Sequence, residues 1–120
     1  MVVGIGCDIV ENERILSASG KKSFLDRIFT ENERKLIEEF PGKAAGNFAV
    51  KEAVSKVLGT GFSGFMPIDI EVMRDELGKP YVKLYGKAKE RAKELGITAI
   101  HVSISDTKEN TMAVAIGETV

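Results

Sequence analysis

Apolar residues at Val50, Ala53, Val54, Val57 and Leu58 recur at the spacing of one buried helical face, with Lys51, Glu52, Ser55 and Lys56 between them. The pattern predicts a helix from about Gly46 to Leu58 whose polar residues point away from the core. Gly59 can close the last turn in the left-handed conformation, and Gly59-Thr60-Gly61 leaves backbone amides free to meet a phosphate.

The first half of the chain is otherwise short and mostly helical. Residues 2–10 alternate as a strand, with Val3, Ile5, Cys7 and Ile9 on one face and Gly4, Gly6 and Asp8 on the other. The two glycines leave that second face bare, so another group can approach the backbone closely. Helices are expected over 11–18, from a Ser23 cap through Phe29, and from a Thr30–Glu33 capping box through Glu39, before Phe40-Pro41-Gly42 turns the chain.

The second half alternates with period two. Strands are expected over 68–73, 81–85, 97–105 and 111–117, with a charged amphipathic helix over 87–95 as a solvated outer layer. Ile100, Val102 and Ile104 then face the core, and His101, Ser103 and Ser105 share the opposite side. Asp69 and Glu71 read as a wet strand face. Phe62 and Phe65 lie in a loop that a neighbouring subunit would cover. The fold class is α+β: short helices and one central helix packed on a mainly antiparallel sheet.

Composition narrows the function. A chain of 120 residues makes one domain, 1–120, near the size at which self-association is frequent. Seventeen basic against eighteen acidic residues give a net charge of −1, which argues against nucleic acid or membrane as a partner. The single cysteine, Cys7, excludes an internal disulfide, suits a reducing cytoplasm and reads as a small core residue. No signal peptide is visible, and no apolar run reaches the roughly 18 residues of a membrane span.

Candidate chemistry is sparse. Asp8, near a strand end beside two glycines, could ligate a hard cation or simply cap the next helix. Glu52 precedes Lys56 by one helical turn, the spacing of a solvated ion pair as much as of an acid and amine on one working surface. His101 is the only histidine and has no cysteine or second histidine with which to form a metal site.

Taken in order, Gly4-Ile5-Gly6-Cys7-Asp8-Ile9-Val10-Glu11, Arg27-Ile28-Phe29-Thr30-Glu31-Asn32-Glu33, Phe48 through Gly61, Gly78-Lys79-Pro80-Tyr81 and His101-Val102-Ser103-Ile104-Ser105 resemble the holo-acyl carrier protein synthases. These are the small, single-domain group of the 4′-phosphopantetheinyl transferases, and the resemblance spans nearly the whole chain. It implies that a serine hydroxyl of apo-acyl carrier protein attacks the β-phosphate of coenzyme A. The products would be the phosphopantetheinylated carrier and adenosine 3′,5′-bisphosphate.

By the same resemblance Asp8 and Glu52 would hold Mg²⁺, with Mn²⁺ as a possible substitute, and Lys56 would support the phosphates. Gly59, Thr60, Gly61, Ser103, Ser105 and Thr107 would lie beside the nucleotide. Arg14 and Arg27 would receive the acidic carrier helix, and the protein would be a homotrimer with sites at its subunit interfaces.

Three positions depart from the pattern. Asn47 stands where many members have arginine, Asp106 where they have histidine, and Leu77 where a polar residue is common. The first two family positions lie near the 3′-phosphate or adenine end of coenzyme A. Replacing cationic donors there should weaken the grip on a dianionic phosphate, or shift it to Lys43 or Lys108. Two other readings stay open: a coenzyme A or nucleotide pyrophosphohydrolase, and a silent carrier- or nucleotide-binding protein.

Overall fold

The glycine face of the first strand exists to let a helix lie on it. In the computed structural model, which describes residues 1–120, β1 (Val2–Glu11) runs beneath α4 (Lys43–Val57). A Cβ on Gly6 would stand 2.0 Å from the Ala53 carbonyl oxygen, and one on Gly4 2.9 Å from that of Val57. Only glycine permits this approach.

Between β1 and α4 come three short helices, α1 (Asn12–Ala18), α2 (Lys22–Ile28) and α3 (Glu31–Glu39). Thr30 and Glu33 form the expected capping box at the start of α3. Ser23 does not cap α2, which begins two residues earlier than such a cap implies, at Lys22 behind Lys21.

After α4, a short 3₁₀ turn (Pro67–Asp69) leads into the hairpin β2 (Ile70–Arg74) and β3 (Pro80–Leu84), then α5 (Gly86–Glu94), β4 (Ala99–Asp106) and β5 (Asn110–Glu118). The sheet is antiparallel, ordered β1-β5-β4, and the β2-β3 hairpin forms a second, separate sheet. Asp8 pairs with Ala113 and Ala113 with Ile104, which places the three side by side across the sheet.

The core lies where the sequence periodicity puts it. Val50, Ala53, Val54, Val57 and Leu58 of the central helix are buried against Ile70, Val72, Ala113 and Ala115. Each fully buried valine or leucine contributes about 1.5–3 kcal/mol. A smaller cluster of Ile15, Ile28, Phe29, Ile37, Ala44 and Ala45 joins the short helices to the start of α4.

Several expectations are corrected. Cys7 is exposed rather than a core residue, because the glycine face of β1 is the one covered by α4. Phe65 is buried in the main cluster, so the chain covers it itself, while Phe62 packs edge-on against it at 5.6 Å and stays half-buried. Glu71 is buried and accepts hydrogen bonds from Thr30 and Tyr85. α5 is not wholly solvated, since Ala88 and Ala92 enter the core.

Lys51 and Ser55 are buried as well, against the expectation that they point away. Lys51 Nζ lies 2.7 Å from Glu33 Oε1 and also donates to the Pro67 and Ile70 carbonyls. Glu33 is fully buried, and its other oxygen accepts from the Asn47 amide and the Val72 backbone. α3, α4 and β2 are joined at this point.

Candidate active site

The close packing of α4 on β1 brings an acid from each to one place. Asp8 lies on the glycine face of β1, and Glu52 projects from α4 near its side chain. Lys56, one turn on, sets its ammonium 3.5 Å from Asp8 Oδ1 and donates to the Cys7 carbonyl at 2.8 Å. All three residues expected to work together do meet.

Electrostatics tie the two acids together. Burial pushes the Glu52 carboxyl above its usual range, the Asp8 charge adds to that, and Lys56 opposes it. Two like charges held near each other, with one ammonium, favour a bound cation. No cluster of three or more acidic, histidine or cysteine ligands is present. The donor set fits Mg²⁺, which takes one or two carboxylates and fills its shell with water and substrate phosphate, and it does not fit a structural zinc.

A groove of about 540 Å³ opens beside this pair. Its apolar wall includes Ile15, Phe24 and Phe48, with the two phenylalanine rings stacked at 6.1 Å, and Arg14 lines its rim. Arg27 is exposed in the last turn of α2 and lines no part of it.

The glycine loop follows α4 directly. Gly59 and Gly61 have φ of 80° and 59°, a conformation that side chains rarely adopt, and Arg91 holds the Leu58 carbonyl at 3.1 Å. Thr60 is exposed.

The remaining expected residues lie elsewhere. Ser103 and Ser105 are exposed on the sheet face opposite Asp8, together with Ile5, Ile9 and Met112. Thr107 sits in the β4–β5 turn and accepts from the Asn110 amide. His101, on the same outer face, pairs with Glu118 at 2.6 Å.

Asn47 is fully buried and lines none of the larger cavities; its amide donates to Glu33 and to the Val72 carbonyl, leaving Oδ1 without a partner. A second cavity of about 420 Å³ lies between the start of α4, the hairpin and β4. Lys43, Gly46, Arg74 and Asp106 line it, and neither Lys43 nor Arg74 makes an ion pair. Sequence reasoning missed Arg74, whose position in a hairpin strand carries no motif.

Known proteins share this sequence and this fold. Residues 4–115 match the 4′-phosphopantetheinyl transferase superfamily. The chain is 54% identical over 118 residues to the holo-[acyl-carrier-protein] synthase of Lachnoclostridium phytofermentans, covering 98% of this chain and 97% of that one. Its fold superposes on Plasmodium yoelii acyl carrier protein synthase with ADP bound, at a TM-score of 0.88 and 36% identity, covering 100% and 97% of the two chains. It also superposes on the Helicobacter pylori holo-[acyl-carrier-protein] synthase in complex with coenzyme A, at a TM-score of 0.83 and 31% identity, covering 95% and 99%.

Proposed function

Since the chain belongs to the 4′-phosphopantetheinyl transferase superfamily, in its holo-[acyl-carrier-protein] synthase group, we propose that it moves the phosphopantetheine arm of coenzyme A onto a serine of apo-acyl carrier protein. The meeting of Asp8, Glu52 and Lys56 at the β1–α4 contact carries this reading. The carrier's serine oxygen forms a bond to the β-phosphorus as the hydroxyl proton passes to water. The bond from that phosphorus to the bridging oxygen breaks, and adenosine 3′,5′-bisphosphate leaves with the electron pair.

Asp8 and Glu52 are the residues that would hold Mg²⁺, whose charge, when bound, offsets that of the pyrophosphate and of the leaving group. Lys56 is exposed enough to turn from Asp8 to a phosphate oxygen without crossing the core. Its ammonium then meets the charge that grows on the leaving side. The Gly59 amide, against expectation, is committed to the Lys56 carbonyl at 3.0 Å, so the backbone of Thr60 and Gly61 supplies the amide donors beside it.

Arg14 stands at the mouth of the groove and Arg27 on the next helix, both exposed. They give a near-neutral protein a local basic face for an acidic carrier helix, which steers encounter and sets orientation. Ser103 and Ser105 cannot reach the Asp8 pair of their own chain, because the sheet intervenes, and Thr107 follows them in the β4–β5 turn. Their place beside the nucleotide is taken toward a neighbouring copy, and exposed Ile5, Ile9 and Met112 on that face are what a homotrimer would bury.

Mass spectrometry of apo-acyl carrier protein incubated with the chain, coenzyme A and Mg²⁺ tests the proposal. The carrier should gain one phosphopantetheine, and a chelator or Glu52→Gln should stop the gain. Cleavage of coenzyme A with an unchanged carrier would instead make the protein a hydrolase, and no change in either would leave it a binding protein.

A further inference from the structure

The first residue of α1 is bound to a turn at the far end of the chain. The Asn12 peptide N–H donates to the Glu109 carbonyl at 2.8 Å, and its side-chain Nδ2 donates to the Thr107 and Lys108 carbonyls at 3.0 and 3.1 Å. Its Oδ1 accepts from the Thr111 hydroxyl at 2.5 Å. Asparagine at a helix start ordinarily accepts from the amides of its own helix. Here Asn12 spends every polar atom of its side chain on the β4–β5 turn and the strand after it.

This clamp decides what the turn can offer a ligand. Three consecutive carbonyls, those of Thr107, Lys108 and Glu109, are drawn to one half-buried residue. The turn's own closure uses the Thr107 hydroxyl and the backbone of Thr107 and Asn110. The Lys108 and Glu109 amides make no hydrogen bond within the chain, and the Lys108 ammonium pairs with no acid. Asp106 and Glu109, exposed on either side, are the opposing charges. A turn whose acceptors are engaged and whose donors are free suits an anion, and without the clamp the same carbonyls would be free to turn outward and repel one.

We infer that Asn12 is a positioning residue for the reaction: it draws the acceptors of the β4–β5 turn inward and so leaves Thr107 and the free amides in place for anionic coenzyme A. The inference rests on the transferase reading and deepens it. Asn12 acts through the turn and touches no substrate itself. It stands four residues after Asp8, at the end of the same strand, and Glu11 beside it pairs with Asn110, so the clamp also fixes the turn relative to the strand that carries the metal acid.

Calorimetric titration of the intact protein with adenosine 3′,5′-bisphosphate in Mg²⁺, beside steady-state transfer to apo-acyl carrier protein, tests this with Asn12→Ala, Asn12→Ser and Thr111→Val. Both Asn12 variants lose the side-chain hold on the turn, and serine keeps a residue suited to a helix start. Thr111→Val removes only the hydroxyl from which Oδ1 accepts. The Asn12 variants should bind the bisphosphate about 10-fold more weakly and raise the KM for coenzyme A equally, the size expected for the lost contacts to Thr107 and Lys108. Their kcat and their KM for the carrier should stay within about 2-fold of wild type, which a general loss of structure would not spare. Thr111→Val should match the wild type.

The assignment falls if either Asn12 variant binds the bisphosphate as the wild type does, whatever its melting temperature. It falls equally if the KM for the carrier rises in place of that for coenzyme A, if kcat alone drops, or if Thr111→Val matches Asn12→Ala. Transfer is scored apart from binding: a carrier that gains no mass with any of these proteins, beside bisphosphate affinity lost in the Asn12 variants, refutes the transferase reading and keeps the clamp.

Discussion

At the scale of single residues, neighbouring side chains of one helix meet opposite fates. Lys51 and Lys56 are both lysines of α4, yet Lys51 is 1% exposed and bound to Glu33 while Lys56 stands 52% exposed beside Asp8. The periodicity distinguishes core from surface for apolar positions, but it cannot report a carboxylate that arrives from another helix, so Lys51 read as solvated. Asp8, Glu52 and Lys56 were legible through motif resemblance; Arg74 was not, because an arginine in a strand is ordinary until the cavity is seen. Glu52 gives a pH test. Its folded pKa is raised, so protonation is favoured by folding, and its stabilising contribution is present at low pH and lost as pH rises through that folded value. Without metal, Glu52→Gln should therefore melt above the wild type at neutral pH, and the difference should vanish on acidification below the ordinary glutamate range. Added Mg²⁺ should raise the wild-type melting temperature alone. A Glu52→Gln protein that melts at or below wild type at neutral pH would contradict the direction.

At the scale of elements, the site depends on two contacts that fix α4. One is its seat on β1. Gly6→Ala would drive a methyl into the Ala53 carbonyl at 2.0 Å, against backbone that cannot yield without moving the helix. Overpacking of this kind costs about 1–3 kcal/mol or more, so a drop in melting temperature with a larger loss of Mg²⁺-dependent activity is expected. The alternation of residues 2–10 was legible, but which face is buried was not. Hydrophobicity points to Ile5 and Ile9, and only the nearness of α4 makes the glycine face the inner one. The other contact is the buried Glu33–Lys51 pair. Lys51→Met alone strands a buried carboxylate and should cost about 3–5 kcal/mol. Combining it with Glu33→Leu should recover much of that in urea titrations, whereas an additive loss would show that the two residues act independently. The capping box at Thr30 was readable in advance because it is local; the ion pair was not, since its partners lie 18 residues apart.

At the scale of the whole molecule, one face of the three-stranded sheet has nothing on it. Ile5 and Ile9 are each 67% exposed and Met112 43%, set in register across β1 and β5, while β4 presents His101, Ser103 and Ser105 beside them. α4 already covers the inner face, so this outer face can be removed from water only by another copy or another protein. Of the phenylalanines that sequence reading nominated for that role, Phe65 is buried within the chain and Phe62 packs half-buried against it. The proposed association through the sheet would also account for Ser103 and Ser105, which match the nucleotide positions, standing away from the acids of their own chain. Ile5→Lys with Met112→Lys would place two charges on this face without touching the core or the groove beside Asp8 and Glu52, which Ile9 helps to line. Sedimentation should show the wild type as a trimer and the double variant as a monomer with an unchanged circular dichroism spectrum. Carrier modification should fall by at least about 10-fold, the loss expected when a site shared between copies is no longer assembled. A monomeric variant that retains full activity would show that one chain holds a complete site, and a wild type that sediments as a monomer would remove the trimer itself.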